Sequence, residues 1–270
     1  MSAGPAEGGR PPDTARLAIS DLKISLGHRE VVSITDLRLD PAEIVGLAGE
    51  SGSGKSMTTL AILGLAHTIG ASVTGSIMLD GRELTGLTPQ ALREIRGRRI
   101  AAIFQSPSTA FSPVHRVGTV MTKALRLHGS ARSEAADRAA QAMRQVMLSP
   151  DLMRRYPSQL SGGQLQRVAI ALALALRAEV LLADEPTSAL DVTVQAEVLD
   201  LLRDLRDSDG MSVLFISHDI AVVAELCDRV AVMRQGLIVE QGPASRVLSS
   251  PANLYTAELL ESVPKLPSRG

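Results

Sequence analysis

Cysteine is nearly absent from this 270-residue chain. Cys227 stands alone, so no disulfide can close within one chain and no all-cysteine metal or iron–sulfur site can be built from it. A lone thiol suits a reducing compartment. Aromatic residues make up only 2 %, with no tryptophan, two tyrosines and three phenylalanines, which leaves few platforms for stacking the bases of a nucleic acid strand. Neither sign of charge is in excess. The 28 basic and 29 acidic residues give a formal net charge of −1, without the basic footprint of a nucleic-acid or anionic-lipid binder. Long apolar runs are missing too: Val168 to Leu176 is the longest and stops at Arg177, well short of the roughly 20 residues that span a bilayer. The opening MSAGPAEGGRPPDTAR lacks the apolar core of a secretion signal and reads as a disordered leader over residues 1–16. What is present is 45 % hydrophobic content, ample for the core of one large domain or two small ones.

The chain is organised around IVGLAGESGSGKSMTTLAILGL, residues 44–65: a short apolar run, a glycine-rich turn and a helical pattern. Gly49-Glu50-Ser51-Gly52-Ser53-Gly54-Lys55-Ser56 fits G-x-x-x-x-G-K-[ST], the phosphate-binding loop of nucleoside triphosphatases. Glycine lets the backbone curl and aim its N–H groups at a phosphate, and the following helix adds the partial positive charge of its N-terminus. Lys55 is placed to reach the β- and γ-phosphates, and the Ser56 hydroxyl to ligate Mg²⁺. A glycine-serine run elsewhere is a flexible linker, but a strand pattern before it and a helix pattern after it point to the phosphate loop.

Upstream, LAISDLKISL and EVVSI alternate as short strands about the turn Gly27-His28, a small β layer preceding the loop. Downstream, VTGSIMLDGREL reads as a hairpin turning at Asp80-Gly81. Residues 89–99 are helix-like, and IAAIFQ is a buried strand ending at Gln105 before the breaker-rich SPSTAFSPVHRVG. Alanine-rich amphipathic patterning from Thr119 to about Leu148 predicts a mainly helical insertion. VLLADE is an unbroken apolar strand closing on Asp184 and Glu185, SVLFIS is another with His218 just past its end, and 193–206 is an amphipathic helix. DRVAVMRQGLIVEQG reads as a hairpin at Gln235-Gly236, and the tail from Pro243 as helical, ended by Pro264 and Pro267.

Three apolar strands thus end in polar groups, and in a parallel α/β sheet the carboxyl ends of the strands line the ligand crevice. Asp184 suits a direct or second-sphere Mg²⁺ role. Glu185 suits polarising the attacking water, because γ-phosphate hydrolysis needs a positioned nucleophile more than covalent chemistry. His218 can donate a hydrogen bond to the γ-phosphate, and Gln105 can touch metal or water. A lone histidine or glutamine after a strand is commonly structural; two carboxylates closing a buried strand are harder to dismiss, since an unpaired buried carboxylate costs several kcal/mol.

Taken together, these motifs resemble the ATP-binding subunit of an ABC transporter over most of the chain. Gly49–Ser56 matches the Walker A motif, Gln105 the Q-loop, and Leu160-Ser161-Gly162-Gly163-Gln164 the family signature. VLLADE matches the Walker B motif, Ser188-Ala189-Leu190-Asp191 the D-loop and His218 the switch histidine. The resemblance implies an α/β fold with a RecA-like parallel-sheet core, an N-terminal antiparallel β subdomain and a helical subdomain at about 106–170. The ATPase domain then spans 17–242 and a helical tail 243–270. It further implies ATP and Mg²⁺ as cofactors, and a head-to-tail dimer in which Ser161, Gly162, Gly163 and Gln164 of one subunit cap the ATP held by the Walker A motif of another. That second ATPase is an identical or a related chain. A helix start with Ser161 and two glycine amides is itself an anion site.

SPSTAFSPVHRVG, ADEPTSALDVTVQAEVLDLL and SSPANLYTAELLESVP resemble the peptide and nickel importer branch. The expected partners are two membrane permeases, with a solute-binding protein acting indirectly and no nucleic acid. The expected place is the cytoplasmic face of the cell membrane. Ala110-Phe111-Ser112-Pro113 with His115 leans toward nickel or metal-chelate uptake, though His115 itself reads as a solvated loop residue. Phe111 and Val114, after Gln105, are expected to touch a permease. Leu254 replaces the usual proline of the tail, which weakens the expectation that the tail docks. Leu26 stands where relatives carry an aromatic that stacks on adenine, so base recognition is expected to be loose unless His28 stacks instead. The alternative is a DNA-repair or chromosome-maintenance ATPase with the same signature set. Such proteins insert a long coiled coil or zinc modules between Walker A and signature, whereas Lys55 and Ser161 lie only about a hundred positions apart. A non-hydrolysing regulatory ATPase is disfavoured by the intact Glu185 and His218.

Overall fold

Strands of two sequence types, alternating and continuously apolar, join into one sheet in the computed structural model, which describes residues 15–105, 111–188 and 190–262. Most of the leader, residues 106–110 of the loop after Gln105, Ala189 of the D-loop, and Pro264 and Pro267 lie outside the described residues. In chain order the strands are β1 (Leu17–Leu26), β2 (Arg29–Leu39), β3 (Ile44–Ala48), β4 (Ala71–Leu79), β5 (Arg82–Glu83), β6 (Ile100–Ile103), β7 (Val180–Asp184), β8 (Ser212–Ser217), β9 (Arg229–Arg234) and β10 (Leu237–Pro243). Their order in the sheet is β5-β4-β1-β2-β10-β9-β3-β8-β7-β6.

The two strand types occupy different halves. β1 pairs antiparallel with β2, and β4 with β5, which matches the hairpins read at Gly27-His28 and Asp80-Gly81, and β1 also pairs antiparallel with β4. β9, β3, β8, β7 and β6 run parallel, and β9 turns back on β10 at Gln235-Gly236 as expected. The halves meet at one pairing of β10 with β2, Leu237 opposite Ser33. Why the parallel strands are apolar throughout follows from their alternation. Val213 and Phe215 of β8 face one core, while Leu214 and Ile216 face the other; Leu181 and Ala183 of β7 divide from Val180 and Leu182 in the same way. Each such buried side chain contributes about 1.5–3 kcal/mol.

Helices α1 (Lys55–Ile62), α2 (Pro89–Ile95), α3 (Val117–Leu127), α4 (Arg132–Gln145), α5 (Gly162–Leu176), α6 (Val192–Asp209), α7 (Ile220–Leu226), α8 (Ala244–Ser249) and α9 (Leu254–Glu261) cover the sheet. α1 buries Ala61 and Ile62 in the core shared with β1, β2 and β4, so the helix after the phosphate loop is held between the two sheet halves. The insertion predicted as helical is α3 and α4, whose Val117, Met121, Ala135, Ala139 and Met143 are buried in the other core. α5 starts with a reciprocal cap: Ser161 Oγ accepts from Gln164 N–H (3.2 Å), and Gln164 Oε1 accepts from Ser161 N–H (3.1 Å). An Arg167–Glu197 ion pair ties α5 to α6. Among the described residues no helix is long and apolar enough to cross a membrane.

Candidate functional site

β3 is buried along its whole length and delivers the chain to the glycine-rich loop at its carboxyl end. Gly49 has φ +152°, and a Cβ there would lie 2.1 Å from the Met233 carbonyl oxygen of β9. Only glycine lets the loop start this close to its neighbour. Lys55, at the start of α1, folds back across the loop: its Nζ donates to the carbonyls of Gly49 (2.6 Å) and Glu50 (2.8 Å) and lies 3.4 Å from Ser53 Oγ. Burial lowers the Lys55 pKa, opposed by the nearby carboxylates of Glu185, Asp184 and Glu50. Two tethers from distant sequence hold the loop. Gly236 N–H donates to the Ser53 carbonyl (2.8 Å), and Glu50 N–H donates to the Tyr255 hydroxyl (3.2 Å).

The strand ends converge on this loop. Asp184 closes β7 and is buried; burial raises its pKa, countered by a hydrogen bond from Ser56, and Lys55 and Glu185 act in opposite senses on it. Its Oδ1 is buried without a hydrogen-bond partner among the described residues. Glu185 follows with φ +49°, a left-handed conformation uncommon for a non-glycine residue, and its N–H donates to the Ile216 carbonyl of β8 (2.8 Å). This kink turns the side chain to where two neighbours meet it. Gln105 Nε2 donates to Glu185 Oε2 (2.8 Å), and His218 Nδ1 lies 2.8 Å from Glu185 Oε1. Residues drawn from three strand ends therefore form one hydrogen-bonded row.

A cavity of about 600 Å³ opens over the loop. Lys55, Ser56, Gln105, Glu185 and His218 line its polar end, together with Glu50, Ser51, Gly52 and Gly54. Leu26, Val31, Met57 and Leu259 are its apolar lining. His28 does not line it, so Leu26 rather than His28 faces the cavity from the β1–β2 turn. Asp184, Gly49 and Ser53 are not among the lining residues. Sequence reasoning missed Val31, Met57, Leu259 and the Tyr255 tether. Met57 falls on the helix face next to the motif and was open to inference; Val31 and Leu259 carry no local signal, because their role depends on tertiary placement.

Other expected residues sit elsewhere. Ser161, Gly162, Gly163 and Gln164 do not line this cavity. Ser161 and Gly162 are exposed at the start of α5, while Gly163 is buried where a Cβ would lie 2.3 Å from Val194 Cγ1 of α6. Phe111 and Val114, either of which is expected to reach a permease, differ in exposure. Phe111 is buried in the same core as Val117 and Met121 of α3, whereas Val114 is 75 % exposed. His115 is exposed and hydrogen-bonds Ser112 Oγ through Nδ1 (2.9 Å). Leu254 is 83 % exposed, so the missing proline leaves the tail contacts untouched.

The ABC transporter family profile matches residues 32–188, more than half of the chain. A Sinorhizobium fredii protein named as a peptide ABC transporter ATP-binding protein is 47 % identical over 230 residues, covering 82 % of this chain and 68 % of its own. A Brucella melitensis protein named as a peptide import ATP-binding protein is 44 % identical over 250 residues, 88 % of this chain and 74 % of its own. The peptidoglycan transport ATP-binding protein YejF of Agrobacterium fabrum is 44 % identical over 92 % of this chain, which matches 47 % of YejF. Among solved structures, dimeric MJ0796 bound to ADP and Pi superposes with TM-score 0.74 at 28 % identity, covering 84 % of this chain and 98 % of that one. CbiO1 from Clostridium perfringens, described as part of the transporter complex CbiONQ, gives TM-score 0.77 at 25 % identity over 88 % and 92 % of the two chains.

Proposed function

This chain belongs to the ABC transporter family as an ABC-type ATPase, and we propose that it powers import of peptides through separate membrane permeases. The observation that carries the reading is the hydrogen-bonded row Gln105–Glu185–His218 beside the phosphate loop. ATP lies with its phosphates against the loop amides and Lys55, and its base toward Leu26. Glu185 accepts a hydrogen bond from the attacking water, whose oxygen bonds to the γ-phosphorus as the bond to the ADP oxygen breaks, giving ADP and inorganic phosphate. His218, with Nδ1 toward Glu185, has Nε2 for a γ-phosphate oxygen. Gln105 holds the other Glu185 oxygen and reports nucleotide state to the segment that follows it.

Magnesium fits the donor set. The orphaned Asp184 Oδ1 and the Ser56 hydroxyl bonded to that carboxylate are hard oxygen donors beside the loop, with Gln105 near. The ion supplies charge neutralisation between β- and γ-phosphates when bound. Ser161, Gly162, Gly163 and Gln164 then cap the nucleotide of a second ATPase, identical or related. Support for this comes from their absence from the chain's own cavity and from the dimeric MJ0796 relative. On this reading residues 17–242 are the ATPase domain, about 106–170 its helical subdomain and 243–270 the tail. The protein works at the cytoplasmic face of the membrane with two permeases and, through them, a solute-binding protein. Peptide is favoured over nickel by the names of the relatives and by His115, which is engaged with Ser112.

Lys55→Ala tests the reading directly. Loss of a charge-assisted phosphate partner, about 1.5–3 kcal/mol, is expected to weaken ATP binding by at least tenfold in a calorimetric titration. Unchanged ATP affinity would count against the phosphate-loop assignment.

A further inference from the structure

We propose that the C-terminal helix α9 forms one wall of the nucleotide site, with Leu259 contacting the base opposite Leu26 and Tyr255 positioning the phosphate loop. This rests on the reading of the cavity as the ATP site and assigns it residues from a tail otherwise read as an appendage. Tyr255 and Leu259 are four residues apart, hence on one face of the helix. Tyr255 is buried, 3 % exposed, in the same core as Phe215, and its hydroxyl accepts the Glu50 N–H of the loop at 3.2 Å. Leu259 reaches the cavity and lines it with Leu26 and Val31.

Several contacts hold the helix in that place. The Arg234 guanidinium of β9 lies 4.5 Å from the centre of the Tyr255 ring, a cation–π contact. The Glu240 carboxylate of β10 accepts the N–H groups of Ala252 (2.9 Å) and Asn253 (3.1 Å), and Asn253 Oδ1 caps α9 by accepting from Tyr255 N–H (2.9 Å). The hairpin that carries Arg234 and Glu240 also ties the loop from its other end, through Gly236 N–H to the Ser53 carbonyl. Tail, hairpin and loop therefore form one hydrogen-bonded unit. The consequence is a base site lined by aliphatic side chains from β1 and α9: Leu26 offers apolar surface without a π-face, and Leu259 adds further apolar surface to the same cavity. Such a pocket grips any purine by contact area rather than by its hydrogen-bonding edge.

The two residues predict different losses, which separates this role from a purely structural one. In the full chain, Leu259→Ala is expected to weaken ATP and ADP binding about fivefold to tenfold, from the apolar surface lost. Its affinity for inorganic tripolyphosphate, which has no base, stays at the wild-type value, and Leu259→Met restores ATP affinity. Tyr255→Phe is expected to weaken ATP and tripolyphosphate alike, by severalfold, because it acts through the loop. Wild-type ATP affinity in Leu259→Ala, or an equal loss for ATP and tripolyphosphate, overturns the base-wall assignment. Failure of the wild-type protein to bind ATP would instead overturn the nucleotide-site reading on which it rests.

Discussion

His218 Nδ1 and Glu185 Oε1 are 2.8 Å apart although 33 positions separate them in sequence. The pair forms because β7 and β8 are parallel neighbours, Asp184 opposite Ile216, so that the residues just past their ends fall side by side. Glu185 is thereby held on one oxygen by His218 and on the other by Gln105. Its orientation is set before substrate arrives, which is the condition for a carboxylate that positions water.

His218→Ala removes one of the two groups orienting Glu185 and a donor to the γ-phosphate. Turnover is expected to fall by about 10²-fold or more, with ATP affinity within a factor of two of wild type. Steady-state phosphate release and nucleotide titration on the same preparation check both halves.

The adjacent glycines of the signature are expected to respond differently. Alanine at Gly163 places a methyl 2.3 Å from Val194 Cγ1 and forces α5 from α6. Overpacking of this kind costs about 1–3 kcal/mol and should lower the melting temperature by several degrees. At Gly162 the nearest atom to a new Cβ is Leu190 Cδ2, 3.9 Å away, so Gly162→Ala should melt as wild type. Its expected defect is in ATP turnover, if the exposed Gly162 amide caps a partner's nucleotide as proposed. Thermal melts paired with ATPase rates distinguish the two.

Glu240 links stability to pH. Desolvation alone would raise its pKa, but the bonds it accepts from Ala252, Thr256 and Asn253, with Arg246 nearby, hold it below the ordinary glutamate value. A carboxylate depressed in the folded state adds stability that is present above its unfolded value and is lost as pH falls through the folded one. Glu240→Gln is therefore expected to lower the melting temperature by about 2–4 °C at pH 7. That difference should close as the pH is taken below the ordinary glutamate range, as a series of melts from pH 7 to pH 3 will show.

How much of this was legible in the sequence depends on the range of the interaction. The phosphate loop, the strands closing on Asp184-Glu185 and His218, and the three hairpins rest on local patterns, and the structure contains each of them. The convergence of Gln105, Glu185 and His218 followed from one topological rule about parallel strands. Contacts without a local pattern were not legible. Tyr255 meets Glu50 across 205 positions, and nothing in LYTAELLE marks which face will meet the loop. The burial of Phe111 was hidden for a related reason: a loop residue among prolines and serines reads as exposed, but its ring lies in the core that also holds residues of α3. Leu254 misled in the opposite sense, since a departure from a familiar pattern falls on an exposed side chain that the docking does not use.

If Glu185 drives hydrolysis at this site, the decisive measurement is phosphate release by Glu185→Gln. The amide keeps the size of the side chain and can still bond Gln105 and His218, but it cannot polarise water as a carboxylate does. Glu185→Gln is expected to keep wild-type ATP affinity, to complete at most a single turnover and to form a stable ATP-bound dimer by size-exclusion chromatography. Continuous phosphate release at the wild-type rate would contradict it.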